Sequence, residues 1–206
     1  KKKKKKKPPT KKKKKKKTCL SVDGDQSTND TCAVMANGLA GNPEITAESE
    51  SYEVFKKALY IVMMNITKML AKDGEGATKL LECTVTGAKD LDTAIIVAKS
   101  VICSPLFKCA MFGADANWGR ILCAVGYAEA DFDINKVDVS LSSKAGEIHV
   151  CHNGAGIEFS EEVAKTVLLE DEITISVSIG DGNGTATAWG CDLTYDYVKI
   201  NGDYRS

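Results

Sequence analysis

Five short stretches of this chain combine residue types that can do chemistry. The first, Asp73-Gly74-Glu75-Gly76-Ala77-Thr78-Lys79, sets a carboxylate between two glycines where a helix gives way to a strand. Glycines let the backbone come close to a ligand while Glu75 points at it. A phosphate loop would need GxxxxGK[ST], which this stretch lacks. From spacing alone, a helix C-terminal turn with solvated acids is the simpler reading. Asp23, Asp25 and Asp30 offer carboxylates for a hard cation within a run of turn formers from Ser21 to Thr31. An EF-hand would place glycine and glutamate where Thr28 and Val34 stand, so hydrogen-bonded turn scaffolding is expected instead. His149 and His152 share a hairpin strand at a spacing of three. That spacing predicts opposite faces and no shared ion, and no GxSxG nucleophile elbow accompanies them. Gly113-Ala114-Asp115-Ala116-Asn117-Trp118-Gly119-Arg120 leads into a helix that Asp115 or Asn117 can cap. Arg120 has the fork to hold a carboxylate, and function and architecture stand level there. The fifth stretch, Asn201-Gly202-Asp203-Tyr204-Arg205-Ser206, is polar directly after an apolar run, an ending that frays unless tied down.

The elements that must position these residues follow from periodicity. Residues 49–71 are the strongest helix: Tyr52, Phe55, Leu59, Val62, Met63, Ile66 and Leu70 recur at three and four, and Ser51 can cap it. Ile61, Met64 and Met69 make its second half apolar on more than one face, which predicts a deeply buried helix. Cys32 to Ala40 reads as a short apolar element. Residues 80–86 read as a strand and 91–103 as a helix stopped by Ser104-Pro105. Further helices are expected over 117–127 and 160–169. Alternation at Val137, Val139 and Leu141, then 147–152, then Ile173 to Ile179 predicts half-buried antiparallel strands. The apolar run from Thr185 to Ile200 reads as one long final strand. Helices and ladders in one unit predict a layered α/β (α+β) sandwich, with mostly antiparallel or mixed sheets and flanking helices.

Charge and cysteine usage exclude several function classes. The chain has 206 residues, with 28 Lys+Arg and 28 Asp+Glu. Fourteen of the lysines lie in Lys1–Lys7 and Lys11–Lys17, leaving 14 basic against 28 acidic groups over residues 18–206. An acidic body of this kind does not present a nucleic-acid surface. The tract over residues 1–17 is either a basic arm for nucleic acid or anionic lipid, or an artificial segment. It is set apart from the single domain expected over 18–206. No apolar run is long enough to span a bilayer. The eight cysteines are scattered without a CxxC pair and there are two histidines, so neither a zinc site nor a disulfide scaffold is expected. Reduced thiols make the cytoplasm the expected compartment.

Taken together, Val22 to Asp30, Asp73 to Lys79, Gly113 to Arg120 and the final YVKINGDYRS resemble, in order and spacing, the β chain of the ornithine acetyltransferases. These are the bifunctional glutamate N-acetyltransferases of arginine biosynthesis, and the resemblance runs from about Thr18 to Ser206. It implies a fold similar to the N-terminal-nucleophile hydrolases. The precursor cuts itself into an α and a β chain assembled as α2β2. The β chain's N-terminal threonine takes the acetyl group from N2-acetylornithine and passes it to glutamate, and some members also accept acetyl-CoA. No metal or prosthetic group is implied.

A terminal threonine carries its own base, the α-amine, and the oxyanion donors come in the family from the α chain. Carried over by position, Glu75, Asn201 and Ser206 match the family's substrate-binding residues. A carboxylate suits an ammonium group, while an amide and a hydroxyl suit an amino acid's polar head. The nucleophile is expected upstream of Lys1, since Thr10 and Thr18 lie too close to Asp23 to match it, so no catalytic residue is assigned within this numbering. A non-catalytic structural or binding homologue lacking the nucleophile is the alternative reading.

Overall fold

A computed structural model describes residues 19–25, 27, 31–47, 49–180 and 182–204 of the chain. The lysine tract, Asp30 and Ser206 lie outside the described residues. The elements run β1 (Leu20–Ser21), α1 (Glu50–Lys72), β2 (Leu80–Ala88), α2 (Leu91–Ile102), α3 (Pro105–Phe112), α4 (Trp118–Gly126), β3 (Asp138–Ser143), β4 (Gly146–His152), β5 (Ala155–Gly156), α5 (Glu161–Leu168), β6 (Glu172–Ser178), β7 (Gly184–Cys191) and α6 (Tyr195–Asp203). The strands form a seven-stranded sheet in the order β1-β7-β2-β6-β3-β4-β5. It is mixed: β1 with β7 and β2 with β6 pair in parallel, and the remaining neighbours are antiparallel. The expected layered sandwich of a mixed sheet with flanking helices is what the chain forms.

Period two along the strands decides which layer each residue joins. On β2, Leu81, Cys83 and Val85 enter the main core with Val97, Val101 and Ile102 of α2, Ile121 of α4 and Val167 of α5. The intervening Leu80 instead packs with Ala71 of α1 and Trp189 of β7. Gly190 confirms the switch, because a Cβ there would meet Ile102 Cγ2 at 2.6 Å. Helices α2, α4 and α5 thus cover one face of the sheet, and α1 lies on the other at its β7–β2 end. Burial at zero exposure of Leu81, Cys83, Val85, Val97 and Val101 is worth roughly 1.5–3 kcal/mol for each large aliphatic side chain. The rest of the second face is polar. Thr187, Thr84, Ser176, Ser140 and His149 stand in one cross-strand row, and Thr84 and Thr187 are linked through their hydroxyls at 3.0 Å.

Capping fixes most helix starts where the sequence places them. Ser49, not Ser51, caps α1, accepting from the Tyr52 amide at 3.1 Å. Asp90, Asn117 and Ser160 do the same for α2, α4 and α5. Ser104 ends α2's reach and opens α3, with Pro105 in its first turn, where a missing N–H is harmless. Three expectations are overturned. Residues 32–40 form no regular element and are exposed. The run to Ile200 is not one strand: β7 stops at Cys191, and Thr194 caps the helix α6. Finally, α1 is not buried within this chain: Ala71 is its single buried residue, and every residue from 50 to 63 is exposed. An all-round apolar helix signals burial, but the surface that would bury it is not one of this chain's described elements. Among the described residues, no single helix is long and apolar enough to cross a membrane.

Candidate functional site

The loop after α1 is pressed into place from two sides, and its glycines make that possible. A Cβ on Gly74 would meet Cys191 Sγ at 2.8 Å and Val22 Cγ1 at 3.0 Å. Gly76 has φ +65° and lies against the first turn of α6, where a Cβ would come within 2.6 Å of the Tyr197 amide nitrogen. Both its backbone sign and its crowding demand glycine. The Thr194 hydroxyl, besides capping α6, donates to the Gly76 carbonyl at 2.7 Å. Behind the loop, the buried Asp192 carboxylate accepts from the amides of Thr78 and Lys79 at 2.8 and 3.0 Å. Loop and helix are therefore one rigid unit.

Glu75, exposed between the two glycines, is met by Asn201 from α6. The Asn201 Nδ2 donates to Glu75 Oε2 at 2.7 Å and to the Tyr197 carbonyl at 3.0 Å. Both neighbours are acceptors, which fixes the amide's orientation. With its two hydrogens engaged, the Asn201 amide has only Oδ1 left to offer. Tyr197 turns the other way and donates from its hydroxyl to Asp23 Oδ2 at 3.0 Å. Asp23 Oδ1 accepts from the Asp25 amide at 2.9 Å, and the buried Lys108 ammonium donates to the Val22 carbonyl beside it. Burial, the hydrogen bond to Asp23 and the negative charges of Asp23, Glu75 and Asp25 push the Tyr197 hydroxyl above the usual tyrosine range, so it stays protonated. Nearby, burial raises the Cys191 thiol against the opposing charge of Lys108. The arrangement is an acceptor-only, negatively charged corner, which suits an ammonium group and repels a free carboxylate.

Among the sequence-level candidates, the structure brings Glu75, Asn201 and Asp23 into one hydrogen-bonded chain through Tyr197. Ser206 lies outside the described residues, three positions beyond the end of α6. The Gly113–Arg120 stretch is architectural: Asn117 caps α4, Asp115 accepts from Asn117 Nδ2 at 3.0 Å, and Arg120 Nη1 donates to the Leu106 carbonyl at 2.8 Å. Among the described residues, no carboxylate pairs with Arg120. His149 and His152 do share a face, contrary to their spacing, because β4 carries an extra residue there: Ser140 pairs with His149 and Val139 with Cys151. Both line an open groove of ≈ 400 Å³ with Ser140, Ser176 and Ser178. His152 is held by Asp138 at 2.9 Å and Asn153 at 2.9 Å. Among the described residues, no group of three or more His, Cys, Asp or Glu side chains is placed to hold a metal. Tyr197 and Thr194 were missed by sequence reasoning; the threonine cap followed by Asp196 was the available signal for α6.

Residues 6–206 match the ArgJ family. The arginine biosynthesis bifunctional protein ArgJ 1 of Clostridium acetobutylicum is 54% identical over 187 residues, spanning 91% of this chain and 46% of that protein. The ArgJ protein of Caldanaerobacter subterraneus subsp. tengcongensis is also 54% identical, with the same coverage. The chain therefore spans about half the length of the curated relatives it matches. The crystal structure of ArgJ from Bacillus halodurans superposes with a TM-score of 0.85 at 47% identity, covering 90% of this chain and 86% of the solved one.

Proposed function

Because the chain belongs to the ArgJ family, we propose that it is the β chain of a glutamate N-acetyltransferase, moving acetyl from N2-acetylornithine to glutamate in arginine biosynthesis. The observation that carries this reading is the meeting of Glu75 and Asn201 at 2.7 Å, two residues the family resemblance singled out independently. The chain's own contribution is positioning. Glu75 and the Asn201 carbonyl hold the ornithine ammonium, Ser206 adds a hydroxyl, Thr194 ties the start of α6 to the loop at Gly76, and Tyr197 ties the helix to Asp23.

In the chemistry proposed, a threonine hydroxyl upstream of Lys1 attacks the acetyl carbonyl while the α-amine of that threonine takes its proton. The amide C–N bond breaks, the proton passes to the departing ornithine amine, and an acetyl ester remains. The glutamate amine then attacks the ester, freeing the hydroxyl. The acidic corner attracts N2-acetylornithine, whose side chain ends in an ammonium group.

Residues 18–206 are read as one domain with the lysine tract outside it, and the protein is placed in the cytoplasm. The partner is an α chain from the same precursor, assembled as α2β2, with acetyl-CoA a possible second donor and no cofactor. Supporting the two-chain reading, curated relatives are about twice this length, whereas the chain covers 86% of the solved one. The test is denaturing mass spectrometry of the whole enzyme after brief incubation with N2-acetylornithine. One acetyl group added to the chain carrying Glu75 is expected, and its absence during turnover would overturn the reading.

A further inference from the structure

Helix α1 is attached to this chain by its last third. Met64 and Ala71 pack near Trp189 and Leu80, Lys68 bridges to Glu82 at 2.7 Å, and Lys72 reaches Asp171 and Glu172 at 3.2 and 3.1 Å. The turns before this anchor stand free. Every residue from 50 to 63 is exposed, including Tyr52, Val54, Phe55, Leu59, Tyr60, Ile61, Val62 and Met63. The regular stripe Tyr52, Phe55, Leu59, Val62, Ile66, Leu70 lies on the side away from Ala71, whereas Val54 and Ile61 stand on another flank. So the helix's main apolar stripe points away from its own sheet. A helix segment this short does not hold itself in water, and one apolar on several flanks requires enclosure. The segment leading into it exposes Val34, Met35 and Leu39 as well, Met35 at 92%.

We propose that the free turns of α1, residues 50–63, insert into a cleft formed by the remaining half of the protein, the part of the relatives' length that this chain does not span. Two observations select that occupant. The relatives carry slightly more than half of their length outside the matched region, so a body large enough to enclose a helix belongs to the same protein. A second copy of this chain offers the same helix, and two identical helices side by side cover one flank each and leave the others bare. The bilayer is a poor match, since Glu50, Glu53, Lys56 and Lys57 lie within the free turns. This inference rests on the two-chain reading above and adds which surface joins the chains.

The test is site-specific photo-cross-linking in cells that express the whole reading frame, with a benzophenone amino acid in place of Phe55 or Val62 and, as a control, in place of the exposed Val163 of α5. A cross-linked product with the combined mass of this chain and its companion is expected from positions 55 and 62 and not from 163. In the same background, V62E lowers recovery of the companion with this chain by about ten-fold or more. Cross-linking to a second copy of this chain or to lipid, or none while the two chains co-purify, overturns the placement alone. If no companion chain is found, the two-chain reading fails and this inference with it.

Discussion

Glu75 and Asn201 meet at 2.7 Å although 126 residues separate them in sequence. Their contact depends on a loop that only glycines can build and on a helix that no apolar periodicity announced. The pair shares one hydrogen bond between the Asn201 amide and Glu75 Oε2, on an exposed acidic surface that suits a positive charge. The consequences are measurable.

Replacing Glu75 by alanine removes the charge and one partner of Asn201. A hydrogen bond to a charged group is worth about 1.5–3 kcal/mol. The kcat/KM for N2-acetylornithine should therefore fall roughly 10- to 100-fold in steady-state assays, with the thermal midpoint nearly unchanged, because Glu75 is exposed. Glu75→Gln should lose most of the same activity while keeping the bond to Asn201. Unchanged kinetics in both variants would remove Glu75 from the site.

Two glycine-to-alanine changes should act in opposite directions. Gly76 has φ +65° and its Cβ would lie 2.6 Å from the Tyr197 nitrogen, so Gly76→Ala should destabilise the fold by about 1 kcal/mol or more and lower activity. Gly126, in the last turn of α4, has open space around it, and Gly126→Ala should stabilise by about 0.5–1 kcal/mol. Urea midpoints measured on both variants settle the signs.

Alkaline pH should weaken the Tyr197 contact. Its hydroxyl is held above the ordinary value of 10.0, chiefly by burial and by Asp23. A raised value means the unfolded chain ionises first. The contribution is thus full below about pH 10 and is lost as pH rises through the higher folded value. The stability gap between wild type and Tyr197→Phe, followed by denaturant titration, should narrow above pH 10. A constant gap would show that the Asp23 bond contributes nothing.

Arg120 should prove structural. Its guanidinium reaches the Leu106 carbonyl at 2.8 Å and ties α4 to α3. Arg120→Ala should lower stability by about 1 kcal/mol and leave KM for both substrates unaltered. A KM change without a loss of stability would return Arg120 to the site.

Legibility varied with the physical origin of each element. The strands β2, β3, β4 and β6 and the helices α2, α4 and α5 were readable because one buried face imposes a period on each, and because Asp90, Asn117 and Ser160 sit where a cap is needed. Helix α6 was not, since Tyr195, Val198 and Ile200 continue the apolar, β-branched character of β7 and are exposed in this chain. The burial expected of α1 is not met by the described elements, because its apolar residues occupy more than one face and the sheet takes only the side of Ala71. The bulge at Val150 is invisible in sequence, because one unpaired residue leaves no compositional mark, and it alone turns His149 and His152 to the same side. Within the site, resemblance supplied Glu75 and Asn201, whereas Tyr197 and Thr194 became apparent only once α6 was seen to be helical.

The strand order also dictates when the protein can come into being. β7 lies between β1 and β2 although it follows both by many residues in sequence, and β6 lies between β2 and β3. A nascent chain that has reached Ile157 holds β1 and β2 with neither neighbour in place, and its apolar edges and the bare α1 helix stand open to aggregation. Closure of the sheet thus waits until β7 has been made, and the Glu75–Asn201 contact waits for α6, which follows β7 in sequence. Chaperone capture of the unfinished chain, and inactivity of any product that terminates before α6, follow from that order.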